Sequence, residues 1–155
     1  MPLTPAPNAP VPSARATLFS LLALFVAGLC CYFDTLDVPF LFDDLTDITR
    51  NPAIRQFWPP SGWFQGNLAS RPLVTFTLAL NYAVSELEVW SYHVVNLAIH
   101  ILAAMVLFGI VRRTLALSAL AERFGAAATS LALATALIWL VHPMQVQSVT
   151  YTVQR

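Results

Sequence analysis

Residues 89–111 read VWSYHVVNLAIHILAAMVLFGIV and run directly into Arg112 and Arg113. No Asp, Glu, Lys or Arg interrupts this stretch, and as a helix it would be roughly 35 Å long. That length is sufficient to cross the hydrocarbon core of a bilayer. The stretch therefore predicts a membrane-spanning helix that ends at the arginine pair.

Two further stretches on either side have the same character. Residues 16–33 carry no charge and would form a helix of about 27 Å, and residues 125–141 are ended by His142-Pro143, since proline cannot continue a helix. A secretory signal peptide is the alternative for the first stretch, but Leu29-Cys30-Cys31-Tyr32 offers no small-residue cleavage site, which favours a retained anchor. We predict an all-α membrane protein with about three transmembrane helices.

The composition agrees with a membrane protein. Hydrophobic residues make up 57% of the 155 residues and charged residues only 10%, against roughly 25% charged residues in soluble domains. Eight arginines balance eight acids, which argues against a nucleic-acid partner because such a partner requires a basic excess. Residues 1–15 hold five prolines, and we predict a disordered tail there.

The arginines predict the orientation of the spans. Arg15 precedes the first span, and three more arginines lie in the 112–124 link, whereas the 34–88 segment holds seven acids and three arginines. Because cytoplasmic segments carry the excess of basic residues, the N-terminus and the 112–124 link are expected in the cytoplasm. Loop 34–88 is then expected on the outer side, periplasmic in a bacterium or lumenal in a eukaryote.

The outer loop contains one apolar stretch that is too short to span. Leu73 to Ser85 places Leu73, Phe76, Leu80 and Val84 on one helical face, and Arg71-Pro72 suits a helix start. We therefore predict an interfacial helix here. Trp58, Trp63 and Trp90 are expected at the membrane surface, where aromatic residues concentrate.

The acidic pair Asp43-Asp44 is the first candidate for chemistry. Leu41, Phe42 and Leu45 flank the pair, and two poorly hydrated, mutually repelling carboxylates should raise one pKa. Such a carboxylate can act as a general base on a hydroxyl. The alternative is a solvated loop in which an aspartate caps a short helix.

Three polar residues share one face of the second span: His93, Asn96 and His100. Polar side chains within a span are costly and point to a cavity or to functional contacts, although hydrogen bonds between helices are the alternative. A metal site would need more ligands than these residues supply. Cys30 and Cys31 are interpreted as membrane-buried thiols.

The last candidate is the segment from His142 to Arg155. Gln147, Tyr151 and Gln154 or Arg155 recur at helical spacing and predict a short helix with a polar stripe. Arg155 could clamp a phosphate with two hydrogen bonds, or it could extend toward lipid headgroups.

These stretches, in this order, resemble a known family. The matching residues are Phe42-Asp43-Asp44 with Ile48 and Asn51-Pro52-Ala53-Ile54, then Arg71-Pro72-Leu73, Thr77, Leu80-Asn81-Tyr82 and Tyr92-His93 with Asn96 and His100, and finally His142-Pro143, Gln147-Ser148-Val149 and Gln154-Arg155. The family is that of the transmembrane and tetratricopeptide-repeat O-mannosyltransferases and their bacterial relatives, in the glycosyltransferase C superfamily. The style of the loop favours a bacterial inner-membrane protein.

The resemblance implies a membrane enzyme that takes a sugar, mannose by analogy, from a polyprenyl-phosphate donor. The acceptor would be a Ser or Thr hydroxyl of a protein on the outer side of the lipid bilayer. Asp43 would be the general base and Asp44 a supporting carboxylate, with inversion at the sugar carbon. Arg71, His93, His142 and Arg155 become candidate substrate-binding residues. No metal site is assigned, and the need for a divalent cation is left open.

Members of that family carry more spans and a run of tetratricopeptide repeats. We therefore expect this chain to be a fragment or a truncated reading frame, the N-terminal membrane part of a larger enzyme, and to be inactive in isolation. The alternative function is a non-catalytic membrane anchor or scaffold for a repeat domain. A transporter is less favoured because no paired broken helices are visible.

Overall fold

The computed structural model describes residues 13–58, 60–64 and 68–155. Over these residues the chain is helical and contains no strand, which confirms the predicted all-α class. The α-helices there are α1 (Ala14–Tyr32), α2 (Pro72–Ser85), α3 (Val89–Leu115), α4 (Ser118–Phe124), α5 (Ala128–Leu140) and α6 (Val146–Thr150). Short 3-10 helices and one π-helix, Leu45–Thr49, occupy much of the connecting chain.

Within the described residues, three helical segments are long and apolar enough to cross a membrane, as the sequence predicts. They are Ala14–Thr35, Val89–Leu115 and Ser118–Leu140, with mean hydropathies of 2.2, 2.5 and 1.4. The predicted disordered tail lies outside the described residues up to residue 12, while Ala14 and Arg15 already belong to α1.

The 112–124 link contains more helix than expected. The second helix continues to Leu115, and α4 occupies Ser118–Phe124 before a 3-10 turn, Gly125–Ala127, leads into α5. Alanine and leucine, both strong helix formers, dominate this link, and no proline interrupts it. The third apolar segment therefore begins at Ser118 instead of near Gly125.

The chain divides into two compact units. The first contains the described residues up to Cys31 together with His100–Gln145, and the second contains Tyr32–Ile99 and Val146–Arg155. Each unit is described by itself below.

The first unit buries several small residues and exposes many large apolar ones. Ala104, Ala132 and Ala136 are fully buried, whereas Phe19 and Ile138 are 70% and 65% exposed. Small residues allow helix backbones to approach closely within a membrane, where large apolar side chains can face lipid at no cost. This distribution is that of a membrane-embedded helix bundle.

Contacts at its two ends fix the directions of the helices in this unit. The Arg112 guanidinium donates from Nη1 to Thr17 Oγ1 at 2.6 Å, so the end of α3 meets the start of α1. At the other end, Gly28 approaches Ile101, and His100 Nε2 donates to the Leu140 carbonyl at 3.0 Å. Consequently α3 runs antiparallel to α1, and the end of α5 meets the same part of α3 as Gly28 does.

The second unit has a hydrophobic core of its own. Its buried members come from six separate stretches of chain: Ile48, Ile54, Leu68, Leu78, Ala79, Tyr92 and Val153. The segment expected as a large outer loop is therefore a folded body, closed by the last ten residues of the chain. Apolar residues from a strongly acidic segment suffice for a core because they are distributed over several short helical turns.

Helix α2 confirms the predicted helix start, since it begins at Pro72 with proline in the first turn. Its buried face carries Leu78 and Asn81, whereas Leu73 and Val84 of the predicted apolar face are 78% and 80% exposed. The predicted apolar face of α2 is thus exposed in part, and its placement at a membrane surface stays a prediction.

Candidate functional site

The acidic pair lies on a strained turn of the second unit. Phe42, directly before it, adopts a left-handed backbone conformation with φ of 50°, and its side chain is 80% exposed. This conformation costs a non-glycine residue about 1–2 kcal/mol, and such strain is found preferentially at functional sites. The turn points the two aspartates into different surroundings: Asp43 is exposed and Asp44 is only 1% exposed.

Asp44 is held by the backbone of the last segment of the chain. The Val153 N–H donates to one carboxylate oxygen at 2.8 Å, and the Thr152 N–H donates to the other at 3.3 Å. Burial raises the pKa of Asp44, while these two hydrogen bonds and the neighbouring His93 act in the opposite direction. Burial is thus the main cause of the raised pKa that the sequence predicted for one member of the pair.

Asp43 meets Tyr151 instead. The Asp43 backbone N–H donates to Tyr151 Oη at 3.3 Å, although 108 residues separate the two in sequence. The hydroxyl also hydrogen-bonds the Asp43 carboxylate, and this contact is the largest cause of a raised pKa at Tyr151. The sequence predicted Tyr151 only as part of a polar stripe, and no local pattern signals its contact with Asp43.

A pocket of about 410 Å³ opens beside these residues. One wall is apolar and comes from Val38, Leu41 and Phe42, and the other comes from Gln147, Thr150 and Tyr151. An apolar cavity of this size with a few polar groups is typical of small-molecule sites. Phe42, which precedes Asp43, and Tyr151, which accepts a hydrogen bond from the Asp43 N–H, both line the pocket.

His93 joins the two walls through backbone carbonyls. The ring is fully buried, with Nε2 at 2.8 Å from the Val38 carbonyl oxygen and Nδ1 at 3.1 Å from that of Val149. Carbonyl oxygens only accept hydrogen bonds, so His93 donates to at least one of them. The histidine that was predicted as substrate-binding therefore connects two backbone segments next to the pocket.

The Arg155 guanidinium is bound by uncharged hydrogen-bond acceptors. Its Nε donates to Asn96 Oδ1 at 2.8 Å, Nη1 donates to Asn81 Oδ1 at 3.1 Å, and Nη2 donates to the Tyr92 carbonyl at 3.3 Å. Burial lowers its pKa to about 10. Each of the three guanidinium nitrogens makes a hydrogen bond within the chain, which uses three of the five N–H donors of the side chain. The sequence grouped Asn96 with a polar face but did not assign Asn81 this role.

Arg71 is half-buried beside Arg155. Its Nη2 donates to the Arg155 carbonyl at 3.1 Å. Like Arg155, Arg71 is partly exposed and lies in the same unit as the acidic pair.

His142 belongs to the first unit and is not part of this cluster. It is exposed, and its Nδ1 accepts a hydrogen bond from the Met144 N–H at 3.2 Å. The second unit thus brings together Asp43, Asp44, Arg71, His93 and Arg155. In the described part of the chain, no three His, Cys, Asp or Glu side chains are grouped as a metal site would require.

Comparisons with known proteins identify relatives over most of the chain. Protein O-mannosyl-transferase Tmtc3 of Drosophila melanogaster is 27% identical over 92% of the chain, and protein O-mannosyl-transferase F38B6.6 of Caenorhabditis elegans is 28% identical over 84%. Protein O-mannosyl-transferase TMTC3 of Mus musculus is 28% identical over 81%. The chain is a homologue of the TMTC protein O-mannosyl-transferases.

This relationship confirms the family that the ordered motifs indicated. The chain spans 18%, 19% and 14% of the length of these three TMTC relatives, respectively. The named relatives are animal proteins, so the bacterial origin expected for this TMTC homologue stays a prediction. No protein-family model matches the chain, and no solved structure matches it significantly.

Proposed function

We propose that this chain supplies the acidic site of a membrane glycosyltransferase that moves mannose from a polyprenyl-phosphate donor to Ser or Thr hydroxyls of proteins. The observation that carries the proposal is the division of the acidic pair. Asp44 is buried and bound by two backbone N–H groups, while Asp43 is exposed and its neighbours Phe42 and Tyr151 line a pocket. The protein O-mannosyl-transferase names of the relatives support the substrate class.

In the proposed reaction, Asp43 accepts the proton of the acceptor hydroxyl as its oxygen attacks the anomeric carbon of the sugar. The new carbon–oxygen bond forms while the bond from that carbon to the phosphate oxygen breaks. The polyprenyl phosphate leaves with the bonding electron pair, and the sugar carbon is inverted in a single displacement. General-base catalysis of this kind contributes roughly 10²- to 10⁴-fold to a rate.

Arg71 is the proposed contact for the donor phosphate. A guanidinium group presents paired donors that match phosphate oxygens, and Arg71 is partly exposed in the same unit as Asp43. Arg155, whose donors already bind Asn81, Asn96 and the Tyr92 carbonyl, would instead hold the surrounding backbone in place.

The reaction is proposed for the outer side of the membrane. In the first unit, Arg112 contacts Thr17 two residues beyond Arg15, so basic residues of two helices gather at one end. The positive-inside rule supports a cytoplasmic position for that end. A topology reporter inserted between residues 45 and 70 should therefore give an extracytoplasmic signal. A cytoplasmic signal would contradict the proposal.

The test of catalysis is Asp43→Asn in the full-length protein, assayed for mannose transfer from a polyprenyl-phosphate donor to a Ser/Thr peptide. We expect a loss of about 10²-fold or more in kcat. Asp34→Asn, the same chemical change at another exposed acid of this chain, is the control and should retain activity. Full activity of Asp43→Asn would remove the proposed base and would favour the non-catalytic anchor or scaffold.

A further inference from the structure

One three-residue segment contacts both aspartates of the site. Helix α6 ends at Thr150, and Tyr151 is extended, with φ of −97° and ψ of 97°. Its hydroxyl reaches Asp43, while the next two N–H groups reach the Asp44 carboxylate. Residues 151–153 therefore determine where residues 43 and 44 lie.

Asp43 needs such a partner because its side chain is exposed. It follows Phe42, whose left-handed backbone is strained and whose side chain is 80% exposed. An exposed carboxylate on a turn samples several rotamers, whereas a reacting group must be held within about 0.5 Å of its productive position. A misplacement of roughly 1 Å can cost 10²-fold in rate.

Tyr151 has the chemistry and the support to hold it. A phenol hydroxyl carries one donor hydrogen and can also accept. It can therefore accept from the Asp43 backbone N–H and donate to the Asp43 carboxylate at the same time. The ring packs against the hydrophobic core of the second unit, so the hydroxyl is fixed by the fold.

We propose that Tyr151 is the positioning residue of the site, with its hydroxyl holding Asp43 at the edge of the pocket. This inference rests on the proposed function insofar as Asp43 acts as the base. It assigns Tyr151 no contact with substrate and no proton transfer of its own.

The deciding variant is Tyr151→Phe in the full-length protein, which removes the hydroxyl and keeps the ring in the core. We expect kcat to fall by roughly 10- to 100-fold with little change in KM, because a misplaced base slows the chemical step without weakening substrate binding. Tyr82→Phe is the matched control. The Tyr82 ring stacks under Arg55 at 4.3 Å, away from the acidic pair, and this variant should retain wild-type kcat and KM.

A double-mutant cycle separates positioning from a general loss of structure. If Tyr151 acts through Asp43, adding Tyr151→Phe to Asp43→Asn should cause no further loss of activity. A tyrosine that merely stabilised the fold would cost the same factor in both backgrounds, and that result would overturn the inference. Wild-type kcat in Tyr151→Phe would overturn it as well.

A second readout does not depend on catalysis. With ¹³Cζ-labelled tyrosine, the Tyr151 resonance can be titrated in the wild type and in Asp43→Asn. The carboxylate raises the pKa of Tyr151, so its removal should lower that pKa, and an unchanged value would contradict the contact. If Asp43→Asn keeps full transferase activity but lowers the pKa of Tyr151, the proposed base is wrong while the contact is real.

Discussion

Asp44→Asn tests the hydrogen bonds that join the acidic turn to residues 152 and 153. The carboxylate accepts two backbone N–H donors, from Thr152 and Val153, and is nearly fully buried. An asparagine of the same shape has one oxygen and one NH₂ group. It can satisfy one of the two N–H groups and must present a donor to the other.

The expected cost follows from these two bonds. Each hydrogen bond to a charged acceptor contributes about 1.5–3 kcal/mol, and a buried N–H left without a partner costs about 1–3 kcal/mol. Because the pKa of Asp44 is raised, burial of the charge outweighs its hydrogen bonds, so the expected loss comes from the N–H group that asparagine leaves without an acceptor. We expect a net destabilisation of about 2 kcal/mol for the docking of residues 151–155, which is roughly a 30-fold larger opening constant.

Hydrogen exchange of the segment 146–155 measures this opening directly. The Thr152 and Val153 amides should exchange roughly 30-fold faster in Asp44→Asn than in the wild type. Asp34→Asn makes the same substitution on another exposed side chain of this unit and should change exchange little. Equal protection in the two variants would show that the Asp44 carboxylate does not hold this segment.

Three further predictions concern pH and backbone geometry. Because the folded-state pKa of Asp44 is raised above 3.8, its contribution to stability should be complete below pH 3.8 and be lost as pH rises through the folded pKa. Chemical denaturation of the wild type should therefore show a free energy of unfolding that falls over this pH range. The same fall in Asp44→Asn would contradict the assignment to Asp44. A Cβ at Gly28 would lie 2.6 Å from Ile101 Cγ1, so Gly28→Ala should lower the free energy of unfolding by about 1–3 kcal/mol. Nothing lies within 4 Å of a Cβ at Gly109, so Gly109→Ala should raise it by about 0.5–1 kcal/mol. Equal effects of the two substitutions would refute the close approach at Gly28. Glu86 has a positive φ of 52°, so Glu86→Gly should stabilise the protein by about 1 kcal/mol in the same denaturation assay, and a loss of stability would indicate that its side chain matters more than its strain.

The membrane helices could be predicted because their signal is local. An uncharged run such as residues 89–111 must satisfy its backbone hydrogen bonds internally within lipid, and only a helix of about 20 residues does so in one segment. The α2 helix was equally readable from Arg71-Pro72 and the apolar period that follows. The link after Arg113 was predicted only by its charges, and its alanine and leucine residues form helix α4.

Only part of the candidate site could be predicted from local sequence patterns. Adjacent carboxylates can be found in a sequence, but their separate roles depend on which one is buried. Burial is decided by residues that lie far away in the sequence. Arg155 illustrates the limit, because an arginine in a polar stripe resembles a phosphate ligand until its three nitrogens are seen to bind Asn81, Asn96 and Tyr92.

The sequence by itself determined that this protein is helical and membrane-embedded, since both properties follow from the free energy of transferring each local segment into lipid. It also carried the ordered motifs by which the relatives were recognised. Only the tertiary structure decided that the acidic turn is closed by residues 151–153. The reason is that these hydrogen bonds join groups 108 and 109 residues apart, and no spacing rule relates donors and acceptors that meet only after the second unit has formed its core.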